Sequence, residues 1–411
     1  MSVLAEPLAP VQSSASSFTL GVEEELFVVD PGALAPVACG DAFFGSVRCA
    51  RGRIVPEMCD GVVELVTPVC TDAGGAVGAL GALRREVMGR APVALIGAGV
   101  HPTLAFGDVW HRRGSHYEHV TDQTRSLLRQ STYCGVHVHV GMPDRETTIV
   151  AFNGMRKWIP VLQALSANSP FWHGIDSGLA SSRTVVCHSV PRTGLPRAFH
   201  DWQDFAQTVD ELCRVAEVPS AGSVWWDMRP HPTLGTLEIR CLDAQSSLRD
   251  LGALAALVHV LVHHEALIAD DRHPPVEILQ EATYRALRDG LDATLSLGGP
   301  LRPVRDLARH ALDLAAGYAP TLGACAPLSH LERMLTEGNG AVRQRRAFAR
   351  GGIPAVLEQL RDETMQTRSV ALVRSAPMAA CPDARRTADP QRPRNAKAPH
   401  GAGLSAVGDG V

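Results

Sequence analysis

The chain has 411 residues and 43.9 kDa, with 45% apolar and 20% charged side chains, the composition of a globular protein with a sizeable core. A formal charge of −4 lacks the broad basic field that a nucleic-acid or anionic-membrane partner requires, so neither is expected. Lys157 and Lys397 are the only lysines and neither follows a G-x-x-x-x-G stretch, which excludes a Walker-A phosphate loop and leaves Lys157 alone for a Schiff base.

The ten cysteines never form C-x-x-C and sit singly in or beside apolar runs, so they read as reduced core thiols. Met1–Ser17 has no Lys or Arg ahead of an apolar run and is no signal peptide. A cytoplasmic protein is expected.

In chain order, Phe18–Asp30 reads as a strand closed by Pro31-Gly32, and Val62–Pro68 as a second strand at the end of Ile54–Pro68. Asp72–Arg90 is an Ala/Leu-rich helix, and Pro92–Val100 and Cys134–Val140 are strands. Thr147–Leu165 has helical spacing, and Ser166–Pro196, broken by prolines and glycines, reads as a long functional loop. Gln203–Val218 is a helix and Thr236–Leu242 a strand. Leu248–Ala269 is a long apolar helix interrupted by His259, His263, His264 and Glu265, which fits a buried helix better than a membrane span. Two helices follow, Pro275–Leu291 and Pro303–Tyr318. Residues 1–17 and the Pro/Arg/Ala-rich 375–411 are expected to be disordered, leaving 18–374 as one catalytic domain. Strands early and helices late make the fold class α+β.

Three of these strands carry polar pairs two residues apart: Glu23/Glu25, His137/His139 and Glu238/Arg240. Side chains at that spacing share one face of a sheet, while Val22, Glu24 and Leu26, the valines at 136, 138 and 140, and Leu237 and Ile239 take the other. A solvated face mixes Lys, Thr, Ser and Gln; this one holds acids, imidazoles and an arginine. Adjacent acids repel unless a cation lies between them, and a hard divalent ion such as Mg²⁺ or Mn²⁺ accepts carboxylate oxygen with a histidine in the set. Glu64, inside an apolar run, requires either an arginine partner or such a metal. Glu57 would add a further carboxylate, with Asp60 the alternative. The histidines of Leu248–Ala269 lack the H-E-x-x-H arrangement and read as core.

The ordered motifs GVEEEL (Gly21–Leu26), VVELVTPVC (Val62–Cys70), CGVHVHVG (Cys134–Gly141), LSANSPFWHGIDSGLASSRT (Leu165–Thr184), PRTGLP (Pro191–Pro196), WWDMRPHPTLGTLEIRCLD (Trp225–Asp243) and YRALRDGLDA (Tyr284–Ala293) resemble the type 2 glutamate–cysteine ligase, or carboxylate–amine ligase, family. The resemblance implies a glutamine-synthetase-like fold, an antiparallel sheet curved into a half-barrel or funnel with helices packed outside. It implies ATP and Mg²⁺ (or Mn²⁺), small amino-acid substrates, a homodimer, and amide formation through an acyl phosphate. The simplest such reaction is L-glutamate plus L-cysteine and ATP giving γ-glutamylcysteine, ADP and phosphate.

Carried over by position, Glu23, Glu25, Glu57, Glu64, His137 and Glu238 resemble the metal-binding set, and His139 a nucleotide or metal contact. Arg240 resembles the arginine aimed at the transferred phosphoryl group. Arg183 and Arg229 are candidates for phosphate or substrate carboxylate, and Asn168 and Asp227 for pocket, turn or cap roles. Cys187 stands where the resemblance leads one to expect tryptophan, His116 where arginine and Ala282 where asparagine is expected; these departures bear on the acceptor more than on ATP. The alternatives are a ligase for another carboxylate–amine pair, a metal-dependent hydrolase on the same His/Glu cluster, and a non-catalytic nucleotide or amino-acid binder.

Overall fold

The computed structural model describes residues 18–44, 48–49, 51–108, 111–112, 115–129, 132–231, 233–268 and 272–367. The ends expected to be disordered, 1–17 and 375–411, lie outside the described residues.

The strands of the main sheet are β1 (Leu20–Val29), β2 (Arg48–Cys49), β3 (Gly52–Pro56), β4 (Val62–Val66), β5 (Ala94–Ile96), β6 (Gly135–Gly141), β7 (Met228–His231) and β8 (Thr236–Asp243). They pair antiparallel in the order β7-β8-β6-β1-β4-β3-β2. On the edge of β1 opposite β4, β6 pairs with Leu20–Glu24 and β5 with Phe27–Val29. This is the expected α+β architecture on a large antiparallel sheet. The segment from Ile54 to Pro68 is a hairpin rather than one run, and β7, inside the WWDMRPH motif, was not anticipated.

Alternation divides the sheet as the sequence requires. Val22, Leu26, Val63, Leu65, Val136, Val138, Val140, Leu237 and Ile239 are buried in one apolar core with the helices. At its centre the Leu248–Ile268 helix packs against Ala73–Arg90, Arg145–Met155, Val304–Ala316 and Cys325–Glu337. It is long and apolar enough to cross a membrane, but it is enclosed by these neighbours. His259 bonds the Phe18 carbonyl at 2.7 Å, and His263 and His264 pack edge-on against Tyr318, as core histidines.

Helix boundaries follow local chemistry. Asp72 caps Ala73–Arg90 by accepting the Gly75 N–H at 2.8 Å. The expected Thr147–Leu165 helix is two, Arg145–Met155 and Ile159–Ser166, joined by a 3-10 turn at Arg156–Trp158, because Pro160 has no N–H to continue the ladder. Ser166–Pro196 is not a plain loop. It contains a Phe171–Trp172/Ile175–Asp176 hairpin and the helix Ser182–His188, whose N-cap Ser181 accepts the Thr184 N–H and donates to Asp243 at 2.9 Å. Its polar composition masked a helix only seven residues long.

Glu24, on the core face of β1, is fully buried against Arg84, which is also fully buried. Arg84 also donates to the carbonyls of Ser246, Thr364 and Gln245 at 2.9–3.0 Å. One guanidinium thus ties the central strand, the Ala73–Arg90 helix, the exit of β8 and the last described helix. Arg84→Met leaves Glu24 as an uncompensated buried charge, and an equilibrium urea titration is expected to give a loss of about 3–5 kcal/mol. The double variant with Glu24→Leu is expected to recover much of that loss.

Candidate active site

The other face of the sheet carries the polar pairs, and register brings them together. Glu23 lies opposite His137, Glu25 opposite Glu64, and Glu238 opposite both His139 and Arg229. Glu57 follows β3 two residues after Val55, which is paired with Glu64, so alternation turns it the same way. All of these line one cavity of about 390 Å³, together with Arg183 and Arg240. Asp60, the alternative to Glu57, instead pairs with Arg112 at 2.8 Å and does not line the cavity.

At the acidic pole His137 Nδ1 is 3.2 Å from Glu23, and its Nε2 is 3.9 Å from Glu25. His139 Nε2 is 3.4 Å from Glu23 and 3.8 Å from Glu238, and its Nδ1 contacts the Thr236 hydroxyl at 3.0 Å. Glu25 accepts the Gly135 N–H at 2.6 Å. Burial, then the neighbouring Glu57, pushes the Glu25 carboxyl up to about 8; burial and the same neighbour raise Glu64 well above the ordinary range, and burial raises Glu57. Burial, then Arg240, pushes His137 down to about 4, so the neutral imidazole meets Glu23 as a hydrogen-bond partner rather than an ion pair. Burial also works against the Glu23 anion, but the two histidine contacts outweigh it and keep that carboxyl ionised.

The basic pole is built on β8. Its register shifts between Ile239 and Leu242, and in that irregular stretch the Arg240 N–H bonds the Asp227 carbonyl at 2.8 Å. The Arg240 side chain grips Glu238, whose other oxygen takes Arg229 Nε at 2.7 Å. Burial opposes the Glu238 anion, but Arg240 and then Arg229 hold its carboxyl below the ordinary range. Arg229 also donates to the carbonyls of Ala221, Gly222 and Val224, which makes it a tether between strand and turn. Arg183, on the Ser182–His188 helix, donates to the Arg240 carbonyl at 3.0 Å and lies so close to Gly135 that a Cβ there would fall 2.3 Å from its Nη2.

Glu23/His137/Glu238 and Glu25/Glu64/His137 form two groups whose ligand atoms lie within 4.8 Å of one another. Carboxylates with one imidazole are a hard donor set, and the raised Glu25, Glu57 and Glu64 are acids left without enough positive charge, so the residues fit a divalent cation. Glu238 is the member already neutralised, by its two arginines.

Asn168 is fully buried, donating to the carbonyls of Gly97 and Ala244, and has a packing role. Asp227 lines the cavity. Of the three departures, Cys187 is on the cavity wall and Ala282 is buried in the Val276–Asp289 helix away from it; the His116 side chain lies outside the described residues. The sequence reading missed Tyr133, Trp225, Trp226 and His231, all of which line the cavity. His231, whose ring lies 5.7 Å from His139, follows Arg229 at strand spacing and carried a legible signal; Trp225 and Trp226 form a strand of two residues, paired with Thr193 and Gly194, too short to show a period.

Comparison with known proteins agrees with this arrangement. The family described as "Glutamate-cysteine ligase family 2 (GCS2)" matches residues 19–369. A protein named "Putative glutamate--cysteine ligase 2" from Gloeobacter violaceus is 35% identical over 354 residues, 83% of this chain and 94% of that one. "Putative glutamate--cysteine ligase 2-1" from Rubrobacter xylanophilus is 35% identical over 346 residues, 82% of this chain and 92% of its own length. Among solved structures, the glutamate–cysteine ligase of Francisella tularensis in complex with AMP aligns with a TM-score of 0.63 at 13% identity, covering 87% of this chain and 90% of that one, a likeness of fold. These matches define the chain as an ATP-dependent ligase of the glutamate–cysteine ligase type. The chain belongs to glutamate–cysteine ligase family 2.

The raised carboxyls give the fold a pH signature. Glu25 keeps its proton to about 8, whereas the unfolded chain loses it near 4.5, so that contribution is complete below 4.5 and lost as pH rises through 8. His137, lowered from 6.5 to about 4, adds stability as pH rises across that interval and is flat above it. In chelator-containing buffer the melting temperature is expected to fall between pH 6.5 and 8, the window set by these two groups, and Glu25→Gln to reduce that fall.

Proposed function

We propose that the protein joins an amino-acid carboxylate to an amine, with ATP converted to ADP and phosphate through an acyl phosphate, most simply L-glutamate with L-cysteine. The observation that carries this reading is one cavity with an acid pole of Glu23, Glu25, Glu57, Glu64 and His137 and a basic pole of Arg183 and Arg240. It is the division that phosphoryl transfer between two anions calls for. We assign the catalytic unit to residues 18–374 and read its sheet as a glutamine-synthetase-like funnel.

Glu23, Glu25, Glu57, Glu64 and His137 would hold Mg²⁺ or Mn²⁺, with Glu238 at the border of the set. A bound divalent ion there neutralises phosphate charge and orients the chain of phosphates. Arg240, gripped by Glu238 and locked through its backbone to Asp227, offers its guanidinium to the transferring group at a fixed position. Arg183, buried beneath the same strand, adds positive charge where the substrate carboxylate must approach ATP. Exclusion of water on substrate binding would protect the activated acyl group from hydrolysis.

Coupled ADP-release assays over an amino-acid panel, with Mg²⁺ or Mn²⁺, test this. ADP formation that requires both a carboxylate and an amine is expected, and Arg240→Ala is expected to lower kcat about 10³-fold. Glu64→Ala is expected to raise the metal concentration required. Absence of ADP with every pair, or ATP-independent hydrolysis of amides, would overturn the proposal.

A further inference from the structure

Asp227 is a buried carboxylate on the cavity wall with half of its capacity unused. Its backbone is fixed from both sides: the N–H donates to the Gly194 carbonyl at 3.0 Å, and the carbonyl accepts the Arg240 N–H at 2.8 Å. Its Oδ1 is held by His188 Nε2 at 2.9 Å, while its buried Oδ2 has no hydrogen-bond partner among the described residues. The residue is 5% exposed. His188 is not on the cavity wall and reaches Asp227 from the Ser182–His188 helix.

The other cavity acids are differently placed. Glu23 meets the histidines, Glu25 the Gly135 N–H, Glu57 the Met58 N–H, and Glu238 two arginines, while Glu64 is clustered with Glu25 and His137 in a group of ligand atoms. Nor does Asp227 belong to either group of clustered ligand atoms. A buried carboxylate oxygen without a donor is costly, and the donor that satisfies it must be compact enough to reach a nearly enclosed carboxylate, a charged N–H doing so most strongly. Trp225, Trp226 and Val190 wall the same cavity and offer apolar surface to the body of a substrate.

We propose that Asp227 anchors the ammonium group of an amino-acid substrate, with Oδ2 accepting its N–H, and that His188 is the positioning residue that holds the carboxylate by Oδ1 and leaves Oδ2 to the substrate. This rests on the ligase reading and deepens it, because it names the group that reads the substrate's amino end. The ammonium could belong to the carboxylate donor, where it stays protonated throughout, or to the acceptor, whose nitrogen must pass a proton to Asp227 Oδ2 before it attacks the acyl carbon; kinetics separates the two.

Steady-state kinetics of Asp227→Asn, with each substrate varied in turn, is the test. The KM of one amino acid, donor or acceptor, is expected to rise about 10- to 100-fold, the effect of losing a charged hydrogen bond, while the KM for ATP stays unchanged. His188→Gln is expected to raise the same KM by a smaller factor. Unchanged amino-acid KM values, or an equal rise in the KM for ATP, would overturn the assignment. Equilibrium binding gives a readout independent of turnover. Wild-type protein is expected to bind one of the amino acids about tenfold or more tightly than its 2-hydroxy analogue, with that preference diminished in His188→Gln. Equal binding of each amino acid and its analogue would overturn the proposal even if Asp227→Asn failed to fold. Wild-type protein that makes no ADP but retains the preference would count against the ligase reading alone.

Discussion

The constraint on which the site depends is carboxylate crowding on one face of an antiparallel sheet. Register places Glu25 directly opposite Glu64, with Glu57 turned to the same side, and burial leaves these acids short of compensating charge. Such an arrangement is unfavourable in isolation and must be imposed by the rest of the fold. It is imposed largely from the opposite face of the same strand. Glu24, between Glu23 and Glu25, is fixed by Arg84, and that guanidinium also binds three carbonyls from the exit of β8 and the final helix. A slip of one residue in β1 would bring Glu24 into the cavity and drive Glu23 and Glu25 into the apolar core, so the strand has one acceptable register.

The cavity then divides by charge along the sheet. β1, β4 and β6 supply acids and imidazoles, and β8 supplies Glu238 and Arg240 at the border. The irregularity in β8 takes Arg240 out of regular pairing with β6 and ties it by backbone to Asp227. The helix Ser182–His188 brings Arg183 and Cys187 to the cavity wall from outside the sheet, with His188 behind Asp227. Metal-type donors thus stand on rigid strands, while the groups suited to reading an organic substrate stand on the helix and irregular segments beside them. Cys187 stands on that helix, on the cavity wall but outside both groups of clustered ligand atoms.

Much of this was legible in the sequence because strand periodicity is a local property. The i, i+2 spacing of Glu23/Glu25, His137/His139 and Glu238/Arg240 identified the shared face before any partner strand was known. Glu57 over Asp60 required the β3–β4 register, and the neutralisation of Glu238 by Arg229 required the pairing of β7, a strand hidden by Pro230. The helix carrying Arg183 was concealed by serines that act as cap and side-chain ligands rather than as loop formers. Trp225, Trp226 and Tyr133 came to the cavity through tertiary packing, which leaves no periodic trace.

The most direct measurement of the central claim is calorimetric titration of Mn²⁺ into the metal-free protein near neutral pH, repeated in buffers of different ionisation enthalpy to count protons released. The account requires saturable binding accompanied by proton release, since the cation must displace protons from Glu25 and Glu64, with both signals lost in Glu25→Gln and Glu64→Gln. Binding without proton release, or binding that persists unchanged in those variants, would contradict it.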